Sequence, residues 1–147
     1  RPMRPGEVDG REYFFLDHAE FGRRVDAGEF EEWVEFAGNR YGTLKSEIDR
    51  LLADGANVIL ELEVEGSLVI RDRRPDACLV FIDADPDELR RRLIARQTEI
   101  AGEIEERLRI AEEQARDKHA FDHVVRNDEV DRAVYELLSV LEGELRP

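Results

Sequence analysis

The sequence predicts an α/β fold in which helices cover a parallel sheet. Residues 58–62 and 78–82 are nearly continuous apolar runs, which is the pattern of strands buried on both faces of such a sheet. Residues 121–125 form a third, weaker run, and helical patterns separate the three. Three strands make a narrow sheet, so the sequence also predicts that further strands lie outside these residues. The first half of the chain instead predicts a smaller α+β subdomain.

Turn and capping residues predict where the elements of the first half begin and end. Asp17 is a predicted N-cap with Glu20 at the capping-box spacing, and Gly28 closes the helix that follows. Alternation of polar and apolar residues over 32–36 predicts a half-buried strand. The other predicted elements of this half are a strand at 13–16, a turn at 38–42 and a helix capped by Thr43 and running to Leu52.

The second half contains a strong helix start. Asp85 is a predicted cap, Pro86 occupies the first turn, and two acidic residues follow, so a helix is predicted from Pro86 to Ala95. Cys78 falls in the second apolar run and is expected to be inert core. The remaining helices are predicted at 66–72, 103–118 and 128–145.

Charge and composition exclude several classes of function. The 147 residues carry 22 Lys and Arg against 36 Asp and Glu, a net charge of −14. Nucleic acid and anionic membranes would repel such a chain, so we expect neither as a partner. The single cysteine excludes an intramolecular disulfide, and no apolar run approaches the roughly 20 residues of a membrane span. A cytoplasmic protein is therefore the expectation.

A basic cluster at the start of the chain predicts an anion site. Arg1 and Arg4 are close on an extended, proline-containing segment, so both guanidiniums can reach one phosphate, whose oxygens match the guanidinium fork. Glu7 can orient one of them, and Tyr13 can add a hydroxyl donor. For two arginines alone, a polar surface loop is the simpler interpretation. The glycine and aromatic residues at fixed offsets favour the anion site.

Glu32 and Thr43 form a second candidate cluster, suited to a guanine base. A carboxylate accepts the paired N–H donors of the guanine edge, a pair that adenine lacks, and a hydroxyl can donate to the guanine carbonyl oxygen. Tyr41 could reach a phosphate of the same ligand. Taken alone, Glu32 is more simply interpreted as a solvated strand residue.

Taken together, the two clusters resemble the sequence signature of guanylate kinases. The resemblance covers essentially the whole chain, through matching segments at 1–15, 29–33, 38–43, 61–66 and 125–128. It implies a P-loop kinase-type, three-layer parallel sheet, with a GMP-binding subdomain at 1–53, a core at 54–95 and 116–147, and a helical lid at 96–115. The implied reaction transfers the γ-phosphoryl group of ATP to GMP, giving ADP and GDP, with Mg²⁺ as cofactor.

The resemblance also implies roles for individual residues of the first half. The implied GMP-phosphate contacts are Arg1, Arg4, Tyr13 and Tyr41, braced by Glu7, and the implied guanine contacts are Glu32 and Thr43. Glu63 stands where the family usually has Asp, near the acceptor nucleotide and the metal, so a substrate-binding and catalytic role is expected for it.

Basic residues of the second half match the family's lid. Arg92 and Arg96 are four residues apart and share a helix face, where like charges repel unless an anion lies between them. By resemblance, Arg92, Arg96 and Arg107 are catalytic, and Arg96 and Arg107 clamp the ATP phosphates. Asn127 is expected near the adenine, and Gln97 replaces a family glycine.

One expected part of the family pattern is missing from these residues. No Gly-x-x-x-x-Gly-Lys-Ser/Thr phosphate-binding loop occurs in the 147 residues. The expectation is a guanylate kinase truncated at its amino terminus and inactive as given. The alternative is a non-catalytic, guanylate-kinase-like module that binds GMP or a phosphopeptide at the same site. Oligomeric state is left open. His18, His119 and His123 show no metal-ligand spacing, so no metal ligands are predicted among the side chains.

Overall fold

The computed structural model describes residues 1–36, 38–95 and 101–145, and the side chains of 101–103 lie outside the description. The chain forms two units, Arg1–Pro75 and Asp76–Pro147. The three-part division predicted above stays a prediction, and residues 96–100 of the predicted lid lie outside the described residues. No helix in the described ranges is long and apolar enough to cross a membrane.

The first unit contains three helices and an antiparallel hairpin. In chain order these are α1 (His18–Asp26), β1 (Phe30–Phe36), β2 (Asn39–Leu44), α2 (Lys45–Ala53) and α3 (Val64–Arg73). The predicted cap of α1 is confirmed, since the Asp17 carboxylate accepts the Glu20 backbone N–H at 2.8 Å. The Glu20 side chain does not complete a capping box, because it pairs with Arg23 and Arg24 instead.

The hairpin carries a bulge at its entry. Phe30 lies opposite Leu44 and Glu32 lies opposite Thr43, so Glu31 is the extra residue between the two pairs. Because of this irregularity, Phe30, Glu31 and Glu32 are all buried, whereas strand residues normally alternate between faces. The Phe21 ring of α1 stacks on the Phe30 ring, with 4.5 Å between their centroids, and closes the small core of this unit.

Several predictions for the first unit are wrong. Residues 13–16 form no strand, and Tyr13 makes only an isolated bridge to Asp9. Residues 38–42 are largely part of β2, and Thr43 lies in that strand, so Leu44 precedes α2 without a side-chain cap. The apolar run at 58–62 is not a strand either, because no strand of the described chain pairs with it.

The second unit is built around a parallel pair of strands. Its elements are β3 (Val80–Asp83), α4 (Pro86–Ala95), α5 (Ala101–Ala115), a 3₁₀ turn (Arg116–Ala120), β4 (His123–Arg126) and α6 (Val130–Glu144). Val80 lies opposite His123 and Asp83 opposite Arg126, so the predicted parallel pairing is confirmed, with two strands rather than three in the described chain. The predicted helix at Pro86–Ala95 is confirmed residue for residue.

The core of the second unit joins this strand pair to the helices around it. Leu79, directly before β3, and Val125, in β4, are buried, as are residues from those helices. The helical contributors are Leu93, Leu108 and Ala133. The prediction that Cys78 belongs to this core is wrong, because β3 begins two residues later and Cys78 is exposed.

Candidate functional site

A cavity of about 270 Å³ lies in the first unit. Its wall includes Arg1, Tyr13, Phe15, Tyr41 and Thr43, so four of the predicted GMP contacts surround one space. Arg1 comes from the start of the chain, Tyr13 and Phe15 come from the loop before α1, and Tyr41 and Thr43 come from β2. The wall combines a cation, hydroxyl donors and aromatic faces, which suits a ligand with a phosphate and a planar ring.

Arg1 is held in a fixed orientation at one side of this cavity. Its guanidinium donates two hydrogen bonds to the Glu7 carboxylate, at 2.8 and 2.5 Å. It also lies over the Tyr13 and Phe15 rings, 5.0 and 5.6 Å from their centroids, a cation–π geometry. The Arg1 side chain is only 11% exposed, so the pair is partly shielded from water.

Glu7 is the brace that the sequence predicted. Its carboxylate also accepts the Arg4 backbone N–H at 2.6 Å, which ties the turn to Arg1. The hydrogen bonds from Arg1 and then from the Arg4 N–H lower the pKa of Glu7 to about 2. Arg4 is exposed and is not part of the cavity wall, so the structure brings its backbone, but not its guanidinium, to this cluster.

Glu32 is buried directly behind the cavity wall. Its residue is 3% exposed, and the Thr43 hydroxyl donates to its Oε1 at 2.6 Å. Burial raises the pKa of Glu32, and hydrogen bonds from the Thr43 side chain and backbone oppose that rise. The interpretation of Glu32 as a solvated strand residue is therefore wrong. A buried carboxylate next to a ligand-sized cavity is a typical feature of a binding site.

The other Glu32 oxygen faces α3. A Cβ placed on Gly66 would lie 2.8 Å from Glu32 Oε2 and 3.4 Å from its Cδ, closer than such contacts allow. The first turn of α3 can therefore approach the carboxylate only because residue 66 has no side chain. Sequence analysis missed this role for Gly66, since nothing in the local pattern of α3 points to a contact with β1.

Glu31 anchors β1 just before Glu32. Its carboxylate accepts from Arg74 Nε at 2.8 Å, and Arg74 also reaches Asp49 at 2.9 Å. Arg73 donates to the Phe30 carbonyl at 3.1 Å. The end of α3 thus fixes the entry of β1 through two arginines. These contacts join residues about 43 positions apart in the chain, so a local pattern could not have predicted them.

Glu63 stands at the N-cap of α3, half-buried, and its side chain makes no capping hydrogen bond there. Mg²⁺ in phosphoryl-transfer sites is bound by one or two carboxylates together with the substrate phosphates. Glu63 can supply one such ligand, so the described residues fit the implied Mg²⁺ only in part. Its roles towards substrate and metal stay predictions.

The predicted lid and ATP residues lie in the second unit. Arg92 is bound locally, since its Nε donates to Glu88 at 2.7 Å and its Nη2 to the Asp128 carbonyl at 3.0 Å. Arg107 is exposed on α5, and Arg96 and Gln97 lie outside the described residues. The Asn127 N–H donates to the Asp83 carbonyl at 2.7 Å, directly after β4.

Asn127 therefore lies at the carboxyl end of the parallel strand pair, where α/β proteins commonly bind ligands. The same edge carries an exposed ion-pair network that sequence analysis missed. Arg126 approaches Asp128 at 2.8 Å, Asp83 at 3.6 Å and Asp85 at 3.7 Å. The signal was present as alternating Asp residues after β3 and the Arg126–Asp128 spacing after β4.

Comparison with known proteins identifies the family to which the chain is similar. The family model described as guanylate kinase matches residues 1–144. The guanylate kinase of Symbiobacterium thermophilum is 43% identical over 145 residues, covering 98% of this chain and 69% of that protein. The guanylate kinase of Rubrobacter xylanophilus is 42% identical, covering 96% of this chain and 74% of that protein.

A solved structure supports the same relationship at the level of the fold. The crystal structure of guanylate kinase from Anaplasma phagocytophilum matches all of this chain and 72% of that chain, with a TM-score of 0.81 and 26% identity. The sequence signature, the family match and the structural match agree over nearly the whole length. The chain belongs to the guanylate kinase family of P-loop kinases, a family of enzymes.

Proposed function

We propose that the first unit binds GMP, and that the protein to which these residues belong transfers the γ-phosphoryl group of ATP to it, giving ADP and GDP. The observation that carries the proposal is the buried Glu32–Thr43 pair beside the cavity that Arg1 enters. A buried carboxylate is costly unless it is paired, and Thr43 is a neutral partner. A ligand that brings N–H donors to Glu32 relieves that cost.

Guanine supplies the required donors. Its ring N1–H and exocyclic amine are adjacent, so both can donate to one carboxylate, whereas adenine presents an acceptor at N1. Thr43 lies in the cavity wall and its hydroxyl donates to Glu32, so the Glu32 carboxylate has to turn past Thr43 to meet a base in the cavity. The Thr43 hydroxyl, released from Glu32, is then able to donate to the guanine carbonyl oxygen.

The phosphate of GMP is proposed to bind at the opposite wall. Arg1 presents a guanidinium whose direction is fixed by Glu7 and by two aromatic rings. The Tyr13 and Tyr41 rings are 6.4 Å apart, so their hydroxyls can approach one phosphate together. Arg4 is proposed to join from solvent when the anion is present, since its backbone already belongs to this cluster.

Catalysis in this family type is positioning and charge neutralisation, with no side-chain nucleophile. We propose that Arg92, Arg96 and Arg107 neutralise the transferring phosphoryl group and that Asn127 lies near the adenine. Mg²⁺ bound to ATP supplies further neutralisation of the phosphate charge. In this proposal β3 and β4 belong to a larger parallel sheet of a three-layer fold, residues 1–53 are the GMP-binding subdomain and residues 96–115 are the lid.

The 147 residues contain no phosphate-binding loop of the Walker type, so we expect GMP binding without measurable turnover from these residues alone. A coupled assay of ADP formation with ATP and GMP tests this expectation. Steady turnover that depends on GMP would overturn it.

Isothermal titration calorimetry with GMP, and with AMP as the control ligand, tests the acceptor site. We expect Glu32→Gln to weaken GMP binding about 10- to 100-fold, because it removes a charged acceptor from two hydrogen bonds. The difference in affinity between GMP and AMP should become smaller as well. Glu35→Gln is the matched control, since Glu35 lies on the same strand with its side chain 63% exposed. Equal affinities of the two variants for GMP would remove Glu32 from the site.

The binding-module alternative is tested with the same protein. A phosphoserine peptide should bind less tightly than GMP if the Glu32–Thr43 pair recognises a base, since a peptide offers no guanine edge. Tighter binding of the peptide, unaffected by Glu32→Gln, would favour the module instead.

A further inference from the structure

The second unit brings together two side chains that sequence analysis set aside and a glutamate at the end of α6. Cys78 precedes β3, His123 is the first residue of β4, and Glu144 is the last residue of α6. One ligand atom from each, the cysteine sulfur, a histidine ring nitrogen and a carboxylate oxygen, lie within 4.8 Å of one another. The cluster lies at the amino end of the strand pair, whereas Asn127 lies at the carboxyl end.

The backbone holds two of the three residues side by side. The Leu79 carbonyl accepts the backbone N–H groups of Asp122 at 2.9 Å and of His123 at 3.2 Å. The Asp122 carboxylate in turn accepts the Leu79 N–H at 2.8 Å. Since Cys78 and His123 each adjoin a residue of this closed hydrogen-bond ring, the separation of their backbones is fixed by the start of the sheet.

The third residue arrives on the last turn of α6. The Leu145 N–H donates to the Leu141 carbonyl at 2.8 Å, so the helix is still regular where Glu144 leaves it. His123 Nε2 and Glu144 Oε1 are 3.4 Å apart. That distance is long for a hydrogen bond but matches two ligands of one small metal ion.

Zinc geometry gives a quantitative comparison. With Zn–N near 2.0–2.1 Å, Zn–O near 2.0–2.2 Å and Zn–S near 2.3 Å, tetrahedral angles place N and O about 3.4 Å apart and S about 3.6 Å from either. The histidine and glutamate atoms already have the first separation. The cysteine sulfur, at no more than 4.8 Å from them, needs to move by about 1 Å.

We propose that Cys78, His123 and Glu144 form a site for a divalent transition-metal ion, with Zn²⁺ the best match. Thiolate, imidazole and carboxylate together suit Zn²⁺, whereas Mg²⁺ prefers oxygen ligands alone. The fourth position is open to water, because all three residues reach the surface of the unit. The ion would tie the end of α6 to the start of both strands, away from the edge where Asn127 lies.

Titration with Co²⁺ under a non-thiol reductant is the first test, because a cysteine thiolate bound to Co²⁺ gives a near-ultraviolet charge-transfer band. We expect one Co²⁺ per chain with that band, displaced by Zn²⁺. Cys78→Ser should abolish the band, and His123→Ala or Glu144→Gln should weaken Co²⁺ binding by at least about tenfold. Matched controls outside the cluster are His119→Ala, in the 3₁₀ turn before β4, and Glu142→Gln, on α6.

Thermal unfolding gives a second readout that does not depend on a spectrum. Because the ion binds the folded chain, Zn²⁺ should raise the melting temperature of the unaltered protein and leave that of Cys78→Ser unchanged. Circular dichroism checks that each variant is folded. Co²⁺ binding without a thiolate band, or equal Zn²⁺ stabilisation of Cys78→Ser, would overturn the proposal.

Discussion

The two units differ in where they place charge. In the first unit, Glu31 and Glu32 are adjacent and only 5% and 3% exposed. They are the buried charged residues of the described chain. In the second unit the densest ion-pair network surrounds Arg126, whose side chain is 45% exposed. Both units contain many oppositely charged neighbours, but among the described residues only the first unit buries carboxylates almost completely.

This difference separates two uses of charge. A buried carboxylate destabilises the fold unless a partner compensates it, so Glu31 depends on Arg74, and Glu32 is left with Thr43 and, we propose, a ligand. Exposed pairs are screened by water and individually contribute little, so they rearrange at low cost. An exposed network of this kind can therefore rearrange at low cost if a ligand binds at this edge of the strand pair.

The sharpest way to break the comparison is to remove one arginine from each unit. Arg74→Met leaves the Glu31 carboxylate buried without its partner, and we expect the free energy of unfolding to fall by about 3 kcal/mol. Arg126→Met removes contacts to three carboxylates, of which Asp85 and Asp128 are open to water and Asp83 keeps Lys118 at 3.4 Å, so its effect should be smaller. Urea unfolding monitored by circular dichroism measures both. Similar losses in the two variants would contradict the comparison.

A smaller effect is expected from filling the space beside Glu32. Gly66→Ala places a methyl group where the Glu32 carboxylate lies, so α3 or the carboxylate has to move, at about 2 kcal/mol. GMP affinity should fall as well, because the same carboxylate is the proposed guanine contact. Gly143→Ala is the control, since nothing lies within 4 Å of a Cβ at that helical position. Equal stability and GMP affinity in the two variants would exclude a role for Gly66.

Removing the charge of Glu7, which orients Arg1, should have a still smaller effect on the protein. Glu7→Gln keeps the shape of the side chain but weakens both hydrogen bonds from Arg1, so we expect GMP affinity to fall about tenfold with AMP affected equally. AMP shares the phosphate, so an equal loss distinguishes orientation of Arg1 from base recognition. Asp26→Asn is the control, at an exposed carboxylate on the last residue of α1 and outside the cavity wall. A loss confined to GMP would contradict the assignment.

The smallest expected effect is a pH dependence that only Glu32 produces. Burial raises the pKa of Glu32 above 4.5, so its ionised form, and with it GMP affinity, decreases as the pH falls from 7 towards that raised value. The pKa of Glu7 is lowered to about 2, so its pairing with Arg1 is lost only in much stronger acid.

Calorimetry at several pH values measures this effect as the difference between the unaltered protein and Glu32→Gln. Taking the difference cancels the protonation of the GMP phosphate itself, which occurs near pH ~6. Stability changes in the opposite direction to GMP affinity: the ionised, buried Glu32 destabilises the folded state increasingly as the pH rises from 4.5 through its raised pKa. If the difference in GMP affinity between the two proteins did not change with pH, titration of Glu32 would be excluded as the cause.

Local signals in the sequence predicted local structure well. The Asp17 cap and the helix begun at Pro86 are confirmed, because each depends on groups a few residues apart. The predicted strand at 58–62 is wrong, because an apolar run becomes a strand only when another strand pairs with it. Cys78 was assigned to the core because the apolar run in the sequence begins two residues before β3 does.

The candidate site divides in the same way. Arg1, Tyr13, Tyr41 and Thr43 were predicted from a family signature, and the structure places them around one cavity. The Glu31–Arg74 pair, the Gly66 contact and the Cys78 cluster were missed, since each joins residues more than 30 positions apart. Contacts between residues so far apart in the chain depend on how helices and strands pack, and local patterns in a single sequence do not reveal that packing.

The bulge at the entry of β1 has a consequence for how the two adjacent acids function. In a regular strand, neighbouring side chains point to opposite faces, so one of two consecutive glutamates would face solvent. The extra residue shifts the phase of the strand, and both carboxylates come to face α3, Glu31 at its arginine end and Glu32 at its first turn. Deleting Glu31 would restore the alternation, and one glutamate would then have to supply both the ion pair with Arg74 and the proposed contact with a ligand. The irregularity lets two identical side chains, one peptide bond apart, take on independent tasks.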